Sequence, residues 1–150
     1  MAQLTKLKLS IKTGSEPFSG TNARLYLVFC GRGSGRIYEV PTRAGDLETG
    51  KLDVYEAAIP DGPDLAELTA VLLLNGMNGP SPAWRVLWVQ LVAVDTDGQS
   101  WELADAMLER WLETGPGKAP GAFIPLHQPL RRMDVQDGVG RPTTTLLPVP

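Results

Sequence analysis

The chain offers few side chains for covalent chemistry, and the two most reactive types occur once each. His127 is the only histidine and Cys30 the only cysteine among 150 residues. A Ser-His-Asp triad or a zinc site would have to use His127, which lies in a proline-rich stretch with no cysteine or carboxylate cluster beside it in the sequence. Cys30 ends an apolar run, a setting that disfavours the reactive thiolate. A hydrolase that combines His127 with a carboxylate or with Cys30 is therefore the weaker of the functions considered below.

The glycine-rich stretch at residues 31–36 resembles neither a phosphate loop nor a nucleophile elbow. No Gly-Lys-Ser/Thr follows it, and the residue two positions before Ser34 is Arg32, where the elbow needs glycine. The stretch is predicted to connect a hairpin. Two acidic pairs could in principle hold a proton or a cation, and we interpret them as a turn (Asp95 with Asp97) and a solvated helix face (Glu109 with Glu113).

Composition sets the class of domain that must hold these residues. Apolar residues make up 43% and charged residues 21% of the chain, which is enough apolar material for one core. The 16 glycines and 13 prolines favour many short strands and turns over long helices. A net charge of −3 argues against a protein whose main partner is nucleic acid. No apolar run is long enough for a transmembrane helix, and no signal peptide is recognised.

Apolar periodicity predicts a mostly β structure. Leu7, Leu9 and Ile11 alternate with Lys6, Lys8 and Lys12, which indicates a half-buried strand with a basic outer face. Residues 24–30 form a strand that is apolar on both faces. Further strands are predicted for residues 37–40, 53–59, 69–74 and 84–94. Asp64 is positioned to cap one helical turn.

Two predictions concern the C-terminal third of the chain. Residues 104–112 have helix-forming composition, so a short helix is expected there. Residues 115–150 hold seven of the thirteen prolines, which favours extended or disordered chain over regular strands. We therefore expect one domain at residues 4–126 and a proline-rich tail at residues 127–150.

Four blocks of sequence, in order, resemble the PLAT or lipoxygenase-homology family, named for polycystin, lipoxygenase and alpha-toxin. The first is Gly-Thr-Asn-Ala at residues 20–23, before a strand. The others are residues 47–55 with 64–69, the loop 75–84 that keeps Gly79, Pro82 and Trp84, and Trp101 with Trp111 and Leu112. The resemblance implies an all-β sandwich of two four-stranded antiparallel sheets, with the predicted short helix added near its C-terminus.

Calcium-binding members of that family use acidic residues on neighbouring loops, and this chain departs from them there. Ser15 and Gly76 stand where acidic residues would be expected. Thr21, Asn22, Gly50 and Asp53 could still supply oxygens, although tight Ca²⁺ sites need six to eight ligands. The resemblance thus makes calcium a candidate cofactor at those four residues. We favour no cofactor, with Asp53 anchoring its loop.

The family implies a non-catalytic interaction module, so we predict that this chain is not an enzyme. Its partner would be a protein or an anionic lipid surface. Phe18 and Met77, in loops expected at one end of the sandwich, and Lys6, Lys8 and Lys12 are the candidate interaction residues. Two alternatives are the small hydrolase and a structural subunit that inserts its proline-rich tail into a partner. Such a protein is expected to be cytoplasmic or peripherally membrane-bound, and a bacterial origin fits a stand-alone domain.

Overall fold

The protein is described from a computed structural model that covers residues 2–32, 34–79, 82–134 and 139–149. Ten strands account for most of these residues. In chain order they are β1 (Leu4–Thr13), β2 (Leu25–Gly31), β3 (Ser34–Val40), β4 (Leu52–Ala58), β5 (Leu68–Asn75), β6 (Trp84–Asp95), β7 (Ser100–Leu112), β8 (Gly121–Ile124), β9 (Arg131–Met133) and β10 (Thr144–Thr145).

The strands form two sheets that pack face to face. The six-stranded sheet has the order β10-β4-β1-β6-β7-β9, and the four-stranded sheet has the order β3-β2-β5-β8. All neighbours are antiparallel except β10 and β4, which are parallel. The all-β sandwich is therefore confirmed, and its sheets have six and four strands where four and four were expected. The two additional strands, β9 and β10, come from the tail.

The core lies between the sheets, where alternating residues of each strand meet. Leu7, Leu9 and Ile11 of β1 are buried, as their spacing predicts. Trp84 is completely buried, and its Nε1 donates to the Thr13 hydroxyl at 3.0 Å. This hydrogen bond satisfies the indole N–H of Trp84, the largest side chain in the core. Leu91 is also fully buried, whereas Trp88 and Trp101 are half-buried.

The predicted helix at residues 104–112 is wrong, because these residues belong to β7. Their Ala, Leu, Met and Glu side chains favour helix locally, but pairing with β6 overrides that preference. Two register shifts interrupt this pairing, and Glu109 has φ +49°. Such bulges insert an extra residue into a strand, so the residues of β7 do not follow a strict alternation.

Several local predictions are confirmed. β2 and β3 form a hairpin with Gly31 opposite Ser34. Asp64 caps a single 3₁₀ turn (Leu65–Glu67), its Oδ1 accepting from Ala66 N at 2.9 Å.

The tail, expected to be extended or disordered, contributes β9 and β10. Within the described ranges, no helix is long and apolar enough to cross a membrane.

Candidate docking surfaces

Three loops meet at one end of the sandwich, which we call the loop end: residues 14–24, residues 41–51, and residues 76–79 with 82–83. Backbone hydrogen bonds join the first two, since Gly50 N donates to Gly14 O at 2.9 Å and Thr21 N donates to Leu47 O at 3.0 Å. The Thr21 hydroxyl donates to Pro82 O at 2.8 Å and so connects the third loop. The loops are therefore held against one another by hydrogen bonds.

Phe18 is the most exposed large apolar residue of the loop end. Its side chain is 91% exposed and its φ is +63°, a value that bulky residues seldom adopt. The next residue, Ser19, is buried, and its hydroxyl donates to Glu16 O at 2.6 Å. Ser19 N also donates to Glu16 O. This anchored turn leaves the Phe18 ring in solvent.

A surface cavity of about 640 Å³ adjoins Phe18. Thr49, Pro82 and Ala83 line it together with Phe18 and four polar or glycine residues of the same loops. Gly20 is required in its wall, because a Cβ there would lie 2.9 Å from both Leu47 O and Thr49 N. Met77 does not line this cavity, although it lies on the same end of the molecule.

Met77 is half-buried, and the loop around it is organised by Asn75. Asn75 Oδ1 accepts from Met77 N at 3.0 Å, while its Nδ2 donates to Pro82 O at 2.6 Å and to Leu112 O at 2.9 Å. Met77 also has positive φ, at +56°. The Asn75 side chain thus connects the loop to the end of β7, a role that sequence reasoning missed.

Of the four proposed calcium ligands, Thr21, Asn22 and Gly50 lie on two of the loops, whereas Asp53 lies in β4 and is already engaged by protein groups. Its Oδ2 accepts from Leu47 N at 2.9 Å, which confirms that it anchors its loop. Its Oδ1 lies 3.2 Å from Lys51 Nζ. An ammonium therefore stands beside the carboxylate that a cation would use. Thr21 Oγ1 accepts from Ala23 N at 3.1 Å, so both its polar functions are in use.

A second carboxylate shares Lys51. Asp46 lies 3.4 Å from Lys51 Nζ and accepts hydrogen bonds from Tyr55 Oη and Arg43 N, each at 2.9 Å. Burial would raise the pKa of Asp46, but these hydrogen bonds outweigh it and lower that pKa. Burial together with the Asp46 carboxylate raises the pKa of Tyr55. Among the described residues, no group of three or more His, Cys, Asp or Glu side chains is placed to hold a metal ion.

The three candidate lysines lie along β1 on the outer face of the six-stranded sheet. Lys12 is nearest the loop end, and its Nζ donates to Gly50 O at 2.5 Å. Lys8 lies opposite Glu56 of β4, and Lys6 is exposed near the other end of the strand. Acidic residues thus share this face. The structure does not gather the three lysines into one patch at Phe18.

His127 and Glu102 also lie on this sheet. Glu102 Oε1 is 2.7 Å from His127 Nε2, and Glu102 Oε2 accepts from Gln90 Nε2 at 2.9 Å. Burial would raise the pKa of Glu102, but the hydrogen bonds from Gln90 and His127 and the nearby Arg131 lower it. The contact between Glu102 and His127 holds the start of the tail against β7. Cys30 belongs to the other sheet, so the two reactive residues are not brought together.

The outer face of the four-stranded sheet is apolar across all four strands. Its middle row, in register, consists of Ile37, Val28, Leu72 and Phe123. The flanking rows add mainly apolar side chains: Tyr26, Cys30, Ala70 and Leu74. Phe123 is 65% and Ile37 39% exposed. Glu39 is the one charged residue in these rows, and it pairs with Arg24 at 3.6 Å. Apolar residues on both sides of β2 and β5 signal this face in the sequence.

Comparisons by sequence give no relative. No family model matches the chain, and no curated protein matches it.

Solved structures share the fold. The alpha-toxin of Clostridium absonum superposes with a TM-score of 0.64 at 13% identity, over 84% of this chain and 32% of the toxin. Coral 8R-lipoxygenase, described as activated by calcium through a C2-like domain, gives 0.58 at 17% identity over 79% of this chain and 16% of the enzyme. The fold is that of a PLAT-like domain. A calcium-dependent 11R-lipoxygenase gives 0.54 at 21% identity, over 80% of this chain and 17% of the lipoxygenase.

The PLAT-like domain therefore corresponds to about a third of an alpha-toxin and about a sixth of a lipoxygenase. In each of those proteins, the matching sandwich is one part of a longer chain. At these identities the likeness establishes the fold alone.

Proposed function

We propose that this PLAT-like domain is a non-catalytic protein-docking module that uses the outer face of its four-stranded sheet. The apolar row across Ile37, Val28, Leu72 and Phe123 carries the proposal. An antiparallel sandwich in water normally presents alternating polar residues on its outer faces, and this sheet does not.

The size and charge of the face favour a protein partner. Four strands spaced about 4.8 Å apart and three residue rows give a flat area on the order of 300 Å². Apolar patches of that size on single domains are often functional. Apart from Glu39 the rows carry no charge, so nothing on this face attracts an anionic membrane. A partner with its own apolar surface fits these properties.

The structural neighbours supply a second reason for a protein partner. There the sandwich accounts for 32% or less of a chain, so it exists beside other domains. A sandwich of this kind is thus compatible with a protein neighbour. We propose that the present chain contacts its partner through the four-stranded sheet.

Site-specific photo-crosslinking in the source cell tests this function. A photoreactive residue is placed at position 37 or 123 of the four-stranded sheet, or at position 52 or 107 of the six-stranded sheet as a matched exposed control. We expect one protein to crosslink from 37 and 123 and not from 52 and 107. Equal crosslinking from both sheets, or none from 37 and 123, would contradict the proposal.

A second candidate function is binding to anionic lipid through the loop end. The 91% exposure of Phe18 favours it, since burying this ring in lipid would contribute roughly 1.5–3 kcal/mol. The lysines of β1 add little because Lys12 is engaged by Gly50 O and Lys6 lies far along the strand. Met77 adds a smaller contribution to lipid binding, because its side chain is already half-buried.

Liposome co-sedimentation separates this candidate from the first. Phe18→Ser, alone and with Met77→Ser, is compared with Phe123→Ser, which removes another exposed ring, 65% exposed, from the four-stranded sheet. Loss of low-salt pelleting only in the Phe18 variants would support lipid binding. Equal pelleting of all variants, or no pelleting of the wild type, would remove the loop end from the function.

The hydrolase alternative lacks support in the site geometry. His127 has a carboxylate partner in Glu102, but no hydroxyl or thiol hydrogen-bonds to its ring among the described residues. Cys30 lies on the opposite sheet. A nucleophile within hydrogen-bond reach of the base is what such catalysis needs. We propose accordingly that the domain has no catalytic role.

A further inference from the structure

The last described segment of the chain, residues 139–149, lies across a gap between the two sheets. We call this gap the seam; its walls are β4 of the six-stranded sheet and β3 of the four-stranded sheet. Thr144 and Thr145 pair in parallel with Ala57 and Ala58 of β4. Farther along, Pro148 forms a bridge with Tyr38 of β3. The segment therefore passes from one sheet to the other.

The segment is held by regularly spaced backbone hydrogen bonds. Thr143 N donates to Glu56 O at 3.1 Å, and Leu146 N donates to Ala58 O at 2.8 Å. Val149 N donates to Ile37 O at 2.7 Å. All three bonds use the backbone of the bound segment, so they do not depend on its side chains.

A single side chain anchors the segment. Leu146 is 7% exposed and belongs to the core cluster, whereas its neighbour Leu147 is 64% exposed. The segment also fills the seam incompletely. A cavity of about 340 Å³ remains beside Thr143 and Thr144, lined in part by Pro41, Val54 and Tyr55. The seam thus combines backbone carbonyls of β4 and β3 that accept from an extended segment with one buried site for an aliphatic side chain.

We infer that the seam is an acceptor site for an extended, proline-flanked segment with one leucine-sized anchor, supplied by a partner protein in competition with the chain's own tail. Backbone pairing that gives affinity and a side-chain pocket that gives specificity are the features of strand-addition sites. The resident segment is suited to release, because it is short and Leu146 is its one buried side chain among the described residues. This site adjoins the outer face of the four-stranded sheet, since Ile37 contributes its side chain to the apolar row and its backbone oxygen to the seam.

The two adjacent leucines allow a matched test with the full-length chain. Leu146→Ser weakens the resident segment, and Leu147→Ser changes an exposed residue of the same kind. The probe is a fluorescent peptide of residues 141–149, Arg-Pro-Thr-Thr-Thr-Leu-Leu-Pro-Val, measured by anisotropy. We expect the Leu146→Ser chain to bind it at least about tenfold more tightly than the wild type, because the competing occupant is weakened.

The Leu147→Ser chain should bind the peptide as the wild type does. In the peptide itself, the Leu146→Ser change should abolish binding to the Leu146→Ser chain, whereas Leu147→Ser should preserve it. Absence of peptide binding by a Leu146→Ser chain that melts cooperatively would overturn the inference. So would an equal gain in the Leu147→Ser chain, or equal binding of both altered peptides. Should Leu146→Ser fail to melt cooperatively, Leu146→Val serves in its place with the same expectations in direction.

Discussion

The outer faces of the two sheets differ in how their polar and apolar side chains are arranged. On the six-stranded sheet, polar groups satisfy one another: Glu102 is bonded by Gln90 and His127, and Trp88 Nε1 donates to Asp105 at 2.6 Å. The middle row of the four-stranded sheet carries only aliphatic and aromatic side chains.

The six-stranded face also exposes apolar residues, but Leu52 and Val54 lie beside Lys12 and Ser10 in register and so form no continuous apolar row. The six-stranded face needs no further contact to satisfy its buried carboxylate. The four-stranded face exposes apolar area that another surface would remove from water. Changes on the first face should therefore alter stability, and changes on the second should alter association.

The largest expected change in the free energy of unfolding comes from a substitution in the core. Trp84→Ala removes a completely buried ring and leaves the Thr13 hydroxyl without its donor. We expect a loss of about 3–5 kcal/mol in the free energy of unfolding, measured by urea denaturation. Trp88→Ala, which removes a half-buried ring from the six-stranded outer face, is the control and should lose less. Equal losses would contradict the assigned packing.

Disrupting the polar network on the six-stranded face should come next in size. Glu102→Ala leaves Gln90 and His127 without their shared acceptor, and we expect a loss of about 1–3 kcal/mol in unfolding free energy. Glu67→Ala removes an exposed carboxylate as the control. If both variants unfold at the same urea concentration, the network does not stabilise the sheet.

Acid should act on the same sheet. Hydrogen bonds hold the pKa of Asp95 and that of Glu102 below their ordinary values, even though burial alone would raise them. A carboxyl whose folded-state pKa is lowered contributes stability above its unfolded pKa and loses it as pH falls through the folded pKa. The free energy of unfolding should therefore be level above about pH 5 and decline below about pH 4.

The Glu102→Gln variant checks the origin of that decline. Its unfolding free energy should depend less steeply on pH below 4 than that of the wild type, in urea titrations at matched ionic strength. Glu67→Gln should retain the wild-type slope. A Glu102→Gln profile parallel to the wild type would assign the acid loss to other carboxyls.

The four-stranded face should show the smallest effect on stability. Phe123→Ser changes an exposed residue, so the free energy of unfolding should move by less than about 0.5 kcal/mol. The same variant should lose crosslinking to the partner from position 37. A large loss of stability would show that Phe123 supports the fold, and unchanged crosslinking would place the partner elsewhere.

Much of this architecture could be predicted from local sequence. The alternation in β1 and the turn chemistry at Asp64 gave the correct elements because each depends on residues close in the chain. The strand assignment of β7 could not be obtained this way. Its Ala104 and Met107 favour helix, and only pairing with β6 decides the outcome.

The tail and the candidate surfaces needed information from distant residues. Leu146 and Leu147 are identical in type and adjacent, and their burial differs because β4 approaches one of them. Glu102 and His127 are 25 positions apart, and no motif predicts their contact. The apolar face was partly visible, since β2 is apolar on both sides, but its continuity with Phe123 depends on the order of the strands.

The placement of β9 and β10 has a consequence for synthesis of the chain. These two strands lie at opposite margins of the six-stranded sheet, yet they are the last strands in chain order. Until they emerge from the ribosome, the margins formed by β4 and β7 present unpaired backbone groups, which promote association between nascent chains. Proteolysis or premature termination ahead of residue 131 should therefore yield protein that aggregates, even though every strand of the central sandwich has been made.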